Sequence, residues 1–178
     1  MNLKKTRFIS TILIFVLCFL THFLYEWLPC SLTAIFFPVN ESIWEHMKML
    51  FTSIILYGII DYIILNKFHI KYHNFFLNLF FTAFISIPIY LTIYLPIYYK
   101  IGENMFINIS LLLIVIIITQ VISYYILKMQ NCPLANYVSI ILIILSYIVF
   151  GYLTYNPPKT ELFFDTQKEK YGINIYNI

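Results

Sequence analysis

The chain has 178 residues, of which 61% are hydrophobic, 20% aromatic and 11% charged, with a net charge of +3 and a mean hydropathy of +0.83. Soluble domains carry about 25% charged and about 45–50% apolar residues, so this composition excludes an ordinary soluble globular protein. It also excludes a disordered chain, and the four glycines and seven prolines exclude collagen-like or linker sequence.

The predicted elements are helices. A helix needs about 20 apolar residues to cross the hydrocarbon core. Five stretches qualify: Phe8 to Leu28, Met47 to Leu65, Phe75 to Tyr99, Met105 to Leu127 and Asn136 to Tyr155. They are continuously apolar rather than alternating, so the backbone must satisfy itself within helices rather than in a barrel. The expectation is an all-α integral membrane bundle forming a single domain over residues 1–178. No internal repeat suggests a two-fold inverted transporter. The first stretch has the basic start and apolar run of a signal peptide. No small-x-small cleavage site follows, so it reads as an uncleaved span.

Orientation follows from Lys and Arg in the short loops. Lys4, Lys5, Arg7, Lys67, Lys71 and Lys128 fall on one side, against Lys48 and Lys100 on the other. This predicts the N-terminus inside and, with five spans, the tail 156–178 outside. The positive charge then reflects topology, and no nucleic-acid partner is needed. The lipid bilayer is the first partner implied; a membrane protein partner or a homo-oligomer is a further expectation. Enrichment in Ile, Phe, Tyr, Asn and Lys, which share AT-rich codons, points to a bacterial plasma membrane. Cys18, Cys30 and Cys132 fall in different compartments and are expected to stay unpaired.

Ionisable residues are the informative ones in a bilayer. They gather toward the outer side of the first two spans: His22, Glu26, Glu41, Glu45 and His46, with Glu103 in the next outer loop. His22 and Glu26 are four apart and share a helix face, close to the stripe of Thr11, Cys18 and Tyr25. They are either a hydrogen-bonded tie between helices or a ligand or proton-transfer pair.

The most specific segment is Pro38-Val39-Asn40-Glu41-Ser42-Ile43-Trp44-Glu45-His46-Met47-Lys48. Ser42 and Glu45 have capping-box spacing, and Trp44 suits the interfacial aromatic belt. Capping does not explain two carboxylates, an Asn and a His in one turn. Glu41 and Glu45 repel at this spacing unless a cation, a proton or Lys48 relieves them. The apolar run Leu32 to Val39 is too short to cross. As an interfacial or re-entrant segment it would fold the turn over the bundle, roofing a pocket floored by His22 and Glu26.

Elsewhere, Asp61 reads as an interface-facing acid, and Pro88 and Pro96 as kinks in the third span. Asn108, Ser110 and Gln120 read as interhelical glue. After Pro157-Pro158 the tail carries Leu162-Phe163-Phe164-Asp165 and Tyr171-Gly172-Ile173. It either docks on the outer surface, as a lid would, or frays.

The block at 38–48, with His-Phe-Leu-Tyr-Glu at 22–26 and the two tail elements, resembles the signature of an uncharacterised family of small bacterial multi-pass membrane proteins. The resemblance implies a fold and a motif with no activity attached. It puts emphasis on His22, Glu26, Asn40, Glu41, Ser42, Trp44, Glu45 and His46 as a functional or ligand-binding cluster, and assigns them no roles.

Three functions compete. The first is a non-catalytic membrane component: a sensor, an assembly factor or a partner-binding subunit. It is favoured because no catalytic constellation is complete. The second is a small-solute or proton-coupled carrier. The third is an intramembrane metal-dependent hydrolase with His22, Glu26, Glu45 and His46 as candidate metal ligands. Against the third, no HExxH spacing is present. Adjacent Glu45 and His46 also point about 100° apart on a helix. Neither a cofactor nor a catalytic residue is fixed by the sequence.

Overall fold

The computed structural model describes residues 1–173. Its helices are α1 (Leu3–Trp27), α2 (Ser31–Phe36), α3 (Ile43–Lys67), α4 (Phe75–Ile101), α5 (Met105–Lys128) and α6 (Pro133–Tyr155). All but α2 are long and apolar enough to cross a membrane. The chain is therefore a multi-pass membrane protein, as its hydropathy predicts. The observed helices extend the apolar stretches mostly at one end: α1 and α6 start earlier, α4 and α5 end later, and α3 is longer at both ends. α1 begins five residues before Phe8 because Asn2 caps it by accepting from the Lys5 amide. α3 begins four residues before Met47, capped by Ser42.

Helices α1, α3, α4 and α5 pack as a four-sided ring in which each touches the next, and α6 lies against α4 and α2. Small and hydroxyl side chains let the ring close, as expected of helices that meet in lipid. Ser10 bonds the Tyr57 hydroxyl at 2.8 Å, and Thr21 bonds Ser53 at 2.7 Å, both between α1 and α3. At Gly58 an added Cβ would meet Leu79 at 2.6 Å, so the missing side chain sets how closely α3 and α4 approach.

The two ends of the bundle carry different polar clusters. One end holds Arg7 and the other holds His22. At the first, Arg7 is buried and pairs with Asp61, while its other terminal nitrogen donates to Ser123 at 2.9 Å and Gln120 at 3.4 Å. This corrects the reading of Asp61 as an interface-facing acid. An unpaired arginine there would be costly in lipid, so the only low-energy place for the acid is inside, against it. Gln120 acts as the interhelical glue expected of it.

At the other end, α2 and an extended stretch fold the Asn40-Glu41-Ser42 turn back over the ring. The tail follows α6, makes a 3-10 turn at Glu161–Phe163 and pairs β1 (Phe164–Asp165) with β2 (Lys170–Tyr171). Over residues 156–173 the tail docks rather than frays, and residues 174–178 lie outside the described residues. The Asp165 carboxylate accepts from the Glu41 amide at 3.0 Å, and Asn40 donates to the Gly172 carbonyl at 3.1 Å.

Candidate functional site

Three side chains converge at this end from two elements and the turn between them. His22 comes from the last third of α1, His46 from the first turn of α3, and Glu41 from the turn before it. His22 Nε2 and His46 Nε2 are 3.3 Å apart, and Glu41 Oε2 is 3.5 Å from each. The three atoms form a nearly equilateral triangle. All three residues are partly buried.

The backbone explains the convergence. Ser42 accepts from the Glu45 amide and starts α3, which aims His46 back toward α1. Asn40 accepts from the Ser42 amide at 2.9 Å and fixes the turn, while Asp165 holds the Glu41 amide. His46 Nδ1 donates to the Ser42 carbonyl at 2.9 Å. That tautomer leaves Nε2 with its lone pair facing the triangle. His22 Nδ1 is buried with no partner among the described residues. The His22 hydrogen bond holds the Glu41 carboxyl below its usual range, opposing the partial burial that would raise it; the charges of His46, His22 and Lys168 add to the lowering.

The other residues of the sequence cluster lie elsewhere. Glu26, a turn beyond His22, is exposed, so the floor of the pocket is not the His22–Glu26 pair. Four residues past His22 the helix emerges from the ring, and the acid stays on its surface. Glu45 is buried but faces away from the histidines. It accepts from the Val39 amide at 3.1 Å and pairs with Lys48 at 2.6 Å. Lys48 also donates to the Ala34 carbonyl at 2.8 Å and to Thr154 at 2.9 Å, so all three ammonium protons are used. Glu45 therefore completes a buried clamp joining α2, α3 and α6, and the back-bond of a capping box is absent because Asn40 takes the Ser42 amide. Trp44 stacks near Phe163 and Phe150, with ring centroids at 5.0 and 5.7 Å, and anchors the tail on α6 rather than facing the histidines.

The triangle opens on a cavity of about 280 Å³ inside the ring. Cys18, Met47, Met49 and Leu112 line its deep part, while Glu103, Asn108 and Gln167 line the end nearer the tail. A smaller adjoining space of about 20 Å³ is bounded by Glu41, His46, Glu103 and a ladder of Tyr90, Tyr94 and Tyr98 on α4. That volume suffices for one water molecule. The tyrosine ladder was not singled out from the sequence, although its four-residue spacing on one helix face is readable there. Asn108, expected to be glue, borders both spaces with a buried, unpartnered Oδ1.

A family model described as a family of unknown function, DUF6512, matches residues 1–173. No curated protein and no solved structure matches the chain.

Proposed function

We propose, for a chain that belongs to this family of unknown function, that His22, Glu41 and His46 hold one divalent transition-metal ion, zinc in the first instance, and that the ion's free side serves hydrolysis. The carrying observation is the triangle of donor atoms. Zinc bound tetrahedrally at about 2.0–2.1 Å spaces its ligands by about 3.3–3.4 Å. The donor separations of 3.3, 3.5 and 3.5 Å need almost no adjustment. Two imidazoles and one carboxylate are a borderline-soft set suited to zinc, and to ferrous iron as the next choice.

Three protein ligands leave a fourth position, which is the pattern of hydrolytic rather than structural zinc. His22, Glu41 and His46 all border the cavity, so an ion held by them would be open to its contents. An ion held there would supply a water acidified enough to act as a nucleophile toward an acyl or phosphoryl centre, its proton being left for the leaving group. Glu103, on the wall of both spaces, is the carboxylate assigned to that proton. The unpartnered Nδ1 of His22 is a cost of about 1–3 kcal/mol to the site, so the affinity should fall below that of a zinc centre with both imidazoles anchored.

A carrier is less well supported. The buried Arg7–Asp61 pair with Gln120 and Ser123 fills the opposite end of the ring. The non-catalytic reading becomes the preferred one if the protein binds no metal. By the charge bias the His22 end faces outward. Arg7 and Lys48 are buried, and without them Lys4, Lys5, Lys67, Lys71 and Lys128 still oppose Lys100.

Elemental analysis of detergent-purified protein tests the reading. Wild type and Glu26→Ala should carry about one metal ion per chain, and His22→Ala, His46→Ala and Glu41→Ala should each lose it. Metal-free wild type, or metal kept in all three variants, overturns it. Glu103→Gln should keep the metal and slow turnover of p-nitrophenyl octanoate by about 100-fold or more. Unchanged turnover would remove Glu103 from the reaction.

A further inference from the structure

The cavity beside the triangle has an uneven lining. Its charged and amide groups gather near the tail and the triangle, and apart from Tyr90 the rest of the lining, Cys18, Phe19, Met47, Met49, Ile109 and Leu112 among it, is apolar. The cavity extends along the helices toward the membrane interior. From Met105 to Leu112 it follows α5 for about 10 Å at 1.5 Å per residue, passing Asn108 before it becomes apolar at Ile109 and Leu112. On α1 it runs a full turn below His22, to Cys18.

The rim also matters. Phe19 and Phe23 on α1 and Met105 on α5 border the cavity, yet they are 40%, 42% and 75% exposed. On a membrane-spanning ring, exposed apolar side chains face lipid. The cavity is thus bordered on the α1–α5 side by exposed apolar residues of two membrane-spanning helices. A water-soluble peptide or sugar would find few partners on such walls. A purely apolar molecule would leave the two histidines and Glu41 unused.

Resting on the metal reading above, we infer that the occupant is a single-chain lipid taken from the surrounding leaflet between α1 and α5. Its carbonyl or anionic head meets the ion at His22, Glu41 and His46, and its hydrocarbon chain lies against Met49, Ile109 and Leu112. This fixes the substrate class as an acylated amphiphile with its scissile bond near the head.

The test uses zinc-loaded protein in lipid nanodiscs and two probes with the same zinc-binding head, acetohydroxamic acid and octanohydroxamic acid. At about 0.8 kcal/mol per buried methylene, the longer probe should bind at least tenfold more tightly even if only two methylenes are buried. Ile109→Trp and Leu112→Trp fill the cavity. Both should retain zinc and lose that preference. Ile144→Trp, on the lipid-facing side of α6 and away from the cavity, should keep it; this control corrects for partition of the probe into the bilayer. Zinc retained with the chain-length preference unchanged in both cavity variants overturns the inference and leaves the metal site standing. Absence of zinc from the wild type overturns both, and zinc content is measured on the same samples.

Discussion

Glu41 and Glu45 stand four residues apart beside the same helix start, and their environments give them opposite tasks. Glu45 is buried, fully paired with Lys48 and unable to reach a ligand. Glu41 is partly buried, and the His22 contact lowers its carboxyl below the ordinary range. The sequence marks both residues, and the 100° offset between Glu45 and His46 already argues against their sharing an ion. It cannot choose Glu41, because that choice depends on a contact with His22 nineteen residues away, across a turn whose shape the tail helps to set. Lys48→Met leaves Glu45 buried without its cation. We expect a loss of about 3–5 kcal/mol, read as a lowered midpoint of thermal unfolding in detergent. Adding Glu45→Leu should recover most of that loss, and a silent single variant would contradict the clamp. Glu41 also sets a pH dependence. Its folded-state carboxyl titrates below its unfolded value, so its contribution is complete above the ordinary glutamate range and is lost as pH falls through the lowered folded value. In metal-free protein Glu41→Gln should therefore flatten the acid limb of stability against pH; an unchanged limb would deny the His22–Glu41 contact.

The elements at the His22 end hold each other in place. The short apolar run after α1 is legible as a segment that returns over the bundle, and it does so as the six-residue α2. The aromatic tail is legible as something that docks. Its partners are not, because Asp165 meets the Glu41 amide over a separation of 124 residues and no periodicity encodes such a pair. Gly172 is the point at which docking is most sensitive. It has φ of +56°, and an added Cβ would lie 2.5 Å from the Thr154 carbonyl oxygen. Ala there is strained in its own backbone and collides with α6. Gly172→Ala should release the tail and speed protease cleavage after Lys168 or Lys170, while the helical content stays unchanged. Equal cleavage rates in variant and wild type would show that the tail is not held through this residue.

For the whole molecule, apolar run lengths suffice to find five crossing helices, because lipid forces each backbone to satisfy itself locally. Which helices adjoin is not readable from runs that are apolar all round. In the ring α1–α3–α4–α5, neighbours are marked by sparse pairs such as Thr21 with Ser53 between α1 and α3 and Arg7 with Ser123 between α1 and α5. The natural cysteines report the orientation. Cys30 is exposed beside the His22 end, and Cys132 is exposed in the loop between α5 and α6 at the other. Hydrogen bonds to Thr33 lower the Cys30 thiol below its ordinary value, which favours the reactive thiolate. An impermeant maleimide on intact cells should label Cys30, and label Cys132 only after permeabilisation. The reverse pattern would invert the topology and put the site on the cytoplasmic side.

Zinc K-edge absorption spectroscopy on the zinc-loaded protein is the most direct measurement of the central claim. The account predicts two imidazole ligands and oxygen donors at about 2.0–2.1 Å, a spectrum that His22→Ala and His46→Ala, which lose the ion, should not give. A shell of oxygen alone, or of sulfur at about 2.3 Å from the free cysteines, would contradict it.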